Sequence, residues 1–179
     1  MNVRTFVSVP VPNSAGLGPL MKDLGLVHGV RRAAAAQLHI TLRFIGDLPE
    51  ERIDEVGECV DKAVNGRGAG QVRLRGMGAF PNERTPRVLW VGVDTSIPLA
   101  AIADEISRRF GLQKIPYDPK PFNPHLTVAR VEGRPNMVPL MHKYADTEFA
   151  SFYCTSVLVM KSELSPCGAI HTVLRSCDL

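Results

Sequence analysis

Two short stretches constrain this chain more than any others: Leu38-His39-Ile40-Thr41-Leu42-Arg43-Phe44 and Pro124-His125-Leu126-Thr127-Val128-Ala129-Arg130. Each sets a His-x-Thr step inside an alternating apolar run, the pattern of a strand with one buried and one polar face. Side chains two apart in a strand share a face, so His39 and Thr41 point one way while Leu38, Ile40 and Leu42 point the other. In the second copy His125 and Thr127 oppose Leu126 and Val128. Five His and eight Thr placed at random give roughly 0.2 such pairs, so two in matched contexts are a signal. If both polar faces line one cavity, two imidazoles and two hydroxyls meet a single substrate.

A chain of 179 residues, 45% apolar and 22% charged, has enough apolar material for a substantial core, and it is expected to form one domain, residues 1–179, of two joined, pseudo-symmetric lobes. The formal charge of +3 is too small to announce nucleic-acid binding, but it suits an anionic substrate if the arginines are focused. No apolar run is long enough to cross a bilayer, and the first residues read as a strand rather than a secretory signal; a cytoplasmic protein is expected. Cys59, Cys154, Cys167 and Cys177 are dispersed, with no Cys-x-x-Cys pair, which fits reduced thiols rather than a compact zinc site.

Along the chain, Val3 to Val9 reads as a strand, and Ser14 to Leu24 as a short helix capped by Ser14. A loop with Arg31 and Arg32 leads to the first His-x-Thr strand. Asp47, Pro49, Glu50 and Glu51 make a helix-start signature with Asp47 as cap, and Ile53, Val56, Val60 and Val64 then recur at helical spacing. Strands are expected at Val72 to Gly76 and Arg87 to Val93, and a helix at Ile97 to Phe110. After the second His-x-Thr strand come a short helix at Asn136 to Tyr144, one long alternating run from Glu148 to Lys161, and a strand at Ala169 to Ser176. Apart from the leading strand, the order helix, His-x-Thr strand, helix, strand, strand occurs twice. Two related lobes would bring the His-x-Thr strands face to face across a cleft.

These residues resemble those of the two-histidine (2H) phosphoesterases and, within them, the RNA 2',3'-cyclic phosphodiesterases, also called LigT-like or 2'-5' RNA ligases. The likeness runs in order through Arg4-Thr5-Phe6-Val7-Ser8-Val9, His39-Ile40-Thr41-Leu42-Arg43-Phe44-Ile45-Gly46, Gly78-Ala79-Phe80-Pro81, Pro86-Arg87-Val88-Leu89-Trp90-Val91-Gly92-Val93, Phe122-Asn123-Pro124-His125-Leu126-Thr127-Val128-Ala129-Arg130 and Lys161-Ser162-Glu163-Leu164. Lys161 stands where Arg is more usual, and the first helix is rich in Gly. The resemblance implies an α+β fold, bilobal and duplicated, with two antiparallel sheets around a central cleft and helices outside. It implies hydrolysis of RNA 2',3'-cyclic phosphate ends to 2'-phosphates, with weak reverse 2'-5' ligation.

The chemistry suits the residues. Opening a 2',3'-cyclic phosphate with water needs one group to take a proton from the water and another to give one to the departing ribose oxygen. Histidine serves both near neutrality, its ordinary pKa being about 6.5. Thr41 and Thr127 can hold the non-bridging oxygens. From the family's product, His39 is the expected acid at O3' and His125 the expected base. No metal or other cofactor is expected, since the chain has no ligand cluster of the His-Glu-x-x-His kind. Arg43 shares the strand parity of His39 and Thr41, which would direct it to the phosphate or the next nucleotide. Arg130 has the wrong parity, but the family pattern makes it a phosphate-side residue. Phe6 is a candidate for stacking a terminal base, while Trp90, His28, His142 and His171 read as structural or surface residues. The alternatives are a phosphodiesterase for small cyclic nucleotides or ADP-ribose cyclic phosphate, and a non-catalytic RNA-end-binding module. A monomer is expected, because one chain supplies both motifs.

Overall fold

The computed structural model describes residues 1–12 and 15–179; Ser14, the expected cap of the first helix, lies outside them. Among the described residues, nine strands and four α-helices follow one another: β1 (Asn2–Pro10), α1 (Gly18–Gly25), β2 (Val30–Arg32), β3 (His39–Pro49), α2 (Ile53–Val64), β4 (Gly70–Phe80), β5 (Val88–Thr95), α3 (Leu99–Gln113), β6 (His125–Val131), α4 (Val138–Lys143), β7 (Glu148–Cys154), β8 (Ser156–Ser165) and β9 (Gly168–Asp178).

The fold is α+β with two antiparallel sheets. The first has the order β3-β1-β8-β9 and the second β2-β6-β5-β4-β7. Helices α2 and α3 pack on each other and on the first sheet, while α1 meets β2 and α4 meets β4 in the second. The path therefore alternates: β1 in the first layer, α1 and β2 in the second, β3 and α2 in the first, β4 and β5 in the second, α3 in the first, β6 to β7 in the second, and β8 to β9 in the first.

Helix α2 buries the expected stripe, with Val56, Cys59, Val60, Ala63 and Val64 all inside. Its start differs from the expectation. Asp47 lies in β3, opposite Arg4, because pairing with β1 continues to Pro49 and Leu48 is buried at its end. The chain then enters α2 through a 3-10 turn at Glu50–Arg52, and Asp54 and Glu55 complement the positive helix end. Helix α3 buries Leu99, Ile102, Ala103, Ile106 and Phe110, and Lys114 closes it in the left-handed region at φ 55°.

Two other boundaries differ. β2, expected as loop, is three residues long, too short to show alternation, and is held by pairing with β6. The run from Glu148 to Lys161 is two strands: β7 edges the second sheet beside β4, and β8 enters the first beside β1. Thr155 is the switch between them. No helix among the described residues is long and apolar enough to cross a membrane.

Candidate active site

Strands β3 and β6 belong to different sheets yet lie against each other. Their apolar residues Ile40, Leu42, Leu126 and Val128 are buried, while His39, Thr41, His125 and Thr127 are half-buried. All four polar side chains line one pocket of about 220 Å³, together with Ala33, Gln37 and Arg130. The two imidazoles are held alike. Nδ1 of His39 lies 2.6 Å from the carbonyl oxygen of Gln37, and Nδ1 of His125 lies 2.6 Å from that of Asn123. A carbonyl only accepts, so each Nδ1 carries a proton and donates it. Nε2 is left in each ring to accept or give a proton.

The strands share a second device, which the alternating pattern conceals. Facing β1, Ser8 pairs with Thr41 and Val7 with Arg43, so Leu42 is an extra residue, a β-bulge. Facing β5, Trp90 pairs with Thr127 and Leu89 with Ala129, so Val128 is the equivalent bulge. Each bulge reverses the parity one step beyond Thr. Arg43, expected in the cleft, therefore lines a wider neighbouring pocket but not the histidine pocket, and is turned toward the buried side, 6% exposed. There its guanidinium donates to the Ser107 hydroxyl and the Lys120 carbonyl and pairs with Asp104 at 3.5 Å. Arg130, expected on the wrong side, returns to the face of His125 and lines the pocket with an exposed side chain. Phe44 stands at the matching place in β3, five residues after the histidine.

Phe6 needs correction as well. Its ring is 3% exposed and packs on His39 at 4.7 Å and on His171 at 5.0 Å, leaving no free face for a base. It supports the imidazole instead. On the other side of the cleft Phe80 meets His125 edge-on at 5.0 Å and is backed by Trp90 at 5.5 Å. Trp90 lies flat over Gly78, where a Cβ would stand 2.3 Å from the indole. Only glycine permits that approach. A second pocket of about 470 Å³ shares Thr41, His125, Thr127 and Arg130 with the first and extends to Arg43, Phe44, Phe80, Asp118, Lys120 and Phe122. Periodicity gave no warning of Phe44 or Phe80 as cleft residues, although both fall inside the stretches that carry the family resemblance.

The model of the 2'-5' RNA ligase superfamily matches residues 14–166. The chain belongs to that superfamily. A protein named RNA 2',3'-cyclic phosphodiesterase from Archaeoglobus fulgidus is 32% identical over 177 residues, covering 97% of this chain and 98% of the relative. The crystal structure of a Thermus thermophilus protein, TT0787, superposes with a TM-score of 0.81 at 28% identity, covering 98% of this chain and 97% of that one. E. coli LigT complexed with 3'-AMP has the same fold, with a TM-score of 0.79 at 19% identity and coverage of 100% and 99%.

In this member of the 2'-5' RNA ligase superfamily the first histidine is the more enclosed by aromatic rings, with Phe6 and His171 both against it. Burial, and to a lesser degree the imidazole of His171, hold His39 below the usual histidine value, against the opposing pull of the Gln37 carbonyl. Arg130 lines the histidine pocket and no carboxylate does among the described residues, so that pocket favours an anion, while Asp118 and Lys120 both line the wider one. Among the described residues no group of three or more His, Cys, Asp or Glu is placed to hold a metal ion.

Proposed function

We propose that this protein hydrolyses RNA 2',3'-cyclic phosphate ends to 2'-phosphates by proton transfer between two histidines. The observation that carries the reading is the shared pocket: two imidazoles with Nδ1 pinned to backbone carbonyls, two threonine hydroxyls and one arginine. The names of relatives such as the Archaeoglobus fulgidus protein supply the substrate class.

In the reaction the cyclic phosphate sits between the imidazoles, its non-bridging oxygens accepting hydrogen bonds from Thr41, Thr127 and Arg130. His125 Nε2 takes a proton from water as the water oxygen attacks phosphorus. The bond from phosphorus to O3' breaks on the far side, and His39 Nε2–H gives its proton to O3', leaving a 2'-phosphate and a free 3'-hydroxyl. Burial disfavours the charged form of His39 in the free protein. An arriving phosphate anion offsets that penalty, so the acid is charged in the presence of its substrate and gives the proton up readily. The wider pocket beside it, with Phe44, Phe80 and Phe122 on its walls, suits the terminal nucleoside. A 5'-hydroxyl in place of the water would run the same proton transfers toward a 2'-5' linkage, as a weak side reaction.

The test is turnover of an oligonucleotide ending in a 2',3'-cyclic phosphate, in EDTA, beside a 2',3'-cyclic mononucleotide as the small-substrate arm. Hydrolysis to a 2'-phosphate is expected, with loss of about 10²–10⁴-fold in His39→Ala and in His125→Ala. No product from the unaltered protein would refute the reading, and a 3'-phosphate product would exchange the acid and base roles.

A further inference from the structure

His39 and His125 share a motif, a strand position and a backbone pin, yet only one has a histidine neighbour in the ring cluster around it. Against His125 lies Phe80. Against His39 lie Phe6 and His171, the latter at 4.9 Å with the rings 80° apart. Phe6 and His171 also touch, so the three rings close a triangle. His171 comes from far along the chain, on β9, where it pairs with Ser162 of β8.

The same hairpin reaches His39 by a second route. The carbonyl that holds His39 Nδ1 belongs to Gln37, and the Gln37 side-chain amide donates to the carbonyl of Ala169, two residues before His171. One arm of the fold thus grips the ring directly and grips the residue that aims it. His125 receives its carbonyl from Asn123, in the segment leading into its own strand.

We propose that His171 is a positioning residue for His39, and that the β8–β9 hairpin makes the first histidine of the pair chemically unlike the second. The proposal rests on the reading above for its part in turnover. An imidazole wedged at right angles against another restricts rotation of that ring, keeping Nε2 on the phosphate, where an error of about 1 Å is costly. The two rings also compete for charge, since a proton on one disfavours a proton on the other. The other charged groups on the elements packed around His39 are of both signs, and the His171 imidazole is the one that bears on its charge. Across the pocket β6 brings His125 and Arg130. β1 brings Arg4, paired with Ser162, and the Lys161 of β8 is tied to Glu163 at 2.8 Å. The turn Ala35–Gln37 brings no charged side chain.

His171→Phe keeps a ring in place and removes the titrating group; His171→Ala removes both. Two readouts separate positioning from simple fold support. The first is the NMR titration of the His39 imidazole in the free protein, its signal assigned by loss in His39→Gln. It needs no substrate, so its result stands whether or not the cyclic phosphate is the right one. The second is kcat and KM on the cyclic-phosphate oligonucleotide across pH. The titration of His39 is expected to move upward in both variants. His171→Ala is expected to lose about tenfold in kcat with KM changed by less than about threefold, while His171→Phe recovers most of the kcat with its pH profile displaced. A His39 titration that stays put in both variants overturns the proposal, whatever happens to turnover. So does a loss in His171→Ala confined to KM.

Discussion

Exchanging the fates of two arginines is the sharpest check on the bulged strands. Arg43→Met keeps an unbranched stem but deletes the guanidinium that ties β3 to the Ser107 hydroxyl of α3 and to the Lys120 carbonyl. Two hydrogen bonds from a charged donor are worth about 1.5 kcal/mol each at the low end of their range. The contact to Asp104 adds little, because that carboxylate is 79% exposed. A loss of about 3 kcal/mol follows, which for a chain of this size lowers the thermal midpoint by about 6–12 °C. Turnover measured well below that midpoint should stay within about fivefold, since the Arg43 guanidinium is engaged by Ser107 and Lys120 and does not line the histidine pocket. Arg130→Met is the mirror case: its exposed side chain leaves the midpoint nearly unchanged, and removing one charge-assisted contact to phosphate costs about 10–100-fold in kcat/KM. Thermal unfolding and steady-state kinetics on both variants decide the matter. If Arg43→Met leaves the midpoint untouched while turnover collapses, the parity reversal at Leu42 is wrong and the guanidinium reaches the cleft.

Thr41→Val and Thr127→Val preserve shape and delete one donor each; kcat is expected to fall about 10–100-fold in either, and unchanged turnover would remove the hydroxyls from the mechanism. Acid should weaken the fold through the clustered histidines. Burial holds both His39 and His171 below the ordinary value of 6.5, so below about pH 6.5 the unfolded chain binds more protons than the folded one and stability falls as pH drops; above that pH the effect vanishes. Urea midpoints at about pH 7.5 and about pH 5 should show a smaller acid loss in His171→Phe than in the unaltered protein; an equal loss contradicts the assignment.

How far the chain could be read without coordinates follows from which interactions are local. The faces of His39-Ile40-Thr41-Leu42 and His125-Leu126-Thr127-Val128 are set by neighbours two apart, and alternation exposes them. The helical stripes of α2 and α3 are equally local. A bulge is different: nothing in Leu42 or Val128 marks it, because it arises from the register of a partner strand distant in sequence. Counting by twos across it sent Arg43 into the cleft and Arg130 out of it, and only the family likeness kept Arg130. Asp47 carried a helix-cap signature that continued pairing with β1 overrode. Phe6 was hidden by the same kind of distance, since its neighbours His39 and His171 come from β3 and β9. His171, with no motif around it, could not be singled out at all.

The alternating path of the chain between the two layers has a mechanical consequence. Neither sheet is a continuous piece of polypeptide, so the walls of the cleft are stitched together by six crossings rather than joined at one hinge. Opening the walls would strain several connections at once, among them the short Thr155 link between β7 and β8. Removing either end of the chain would strip strands from the first wall, where β1, β8 and β9 lie, and a cut deep enough to remove β3 or β6 would take strands from both, so neither histidine could be kept on an intact sheet by cutting the other away. The gap between the imidazoles is thus a property of the weave rather than of one hinge.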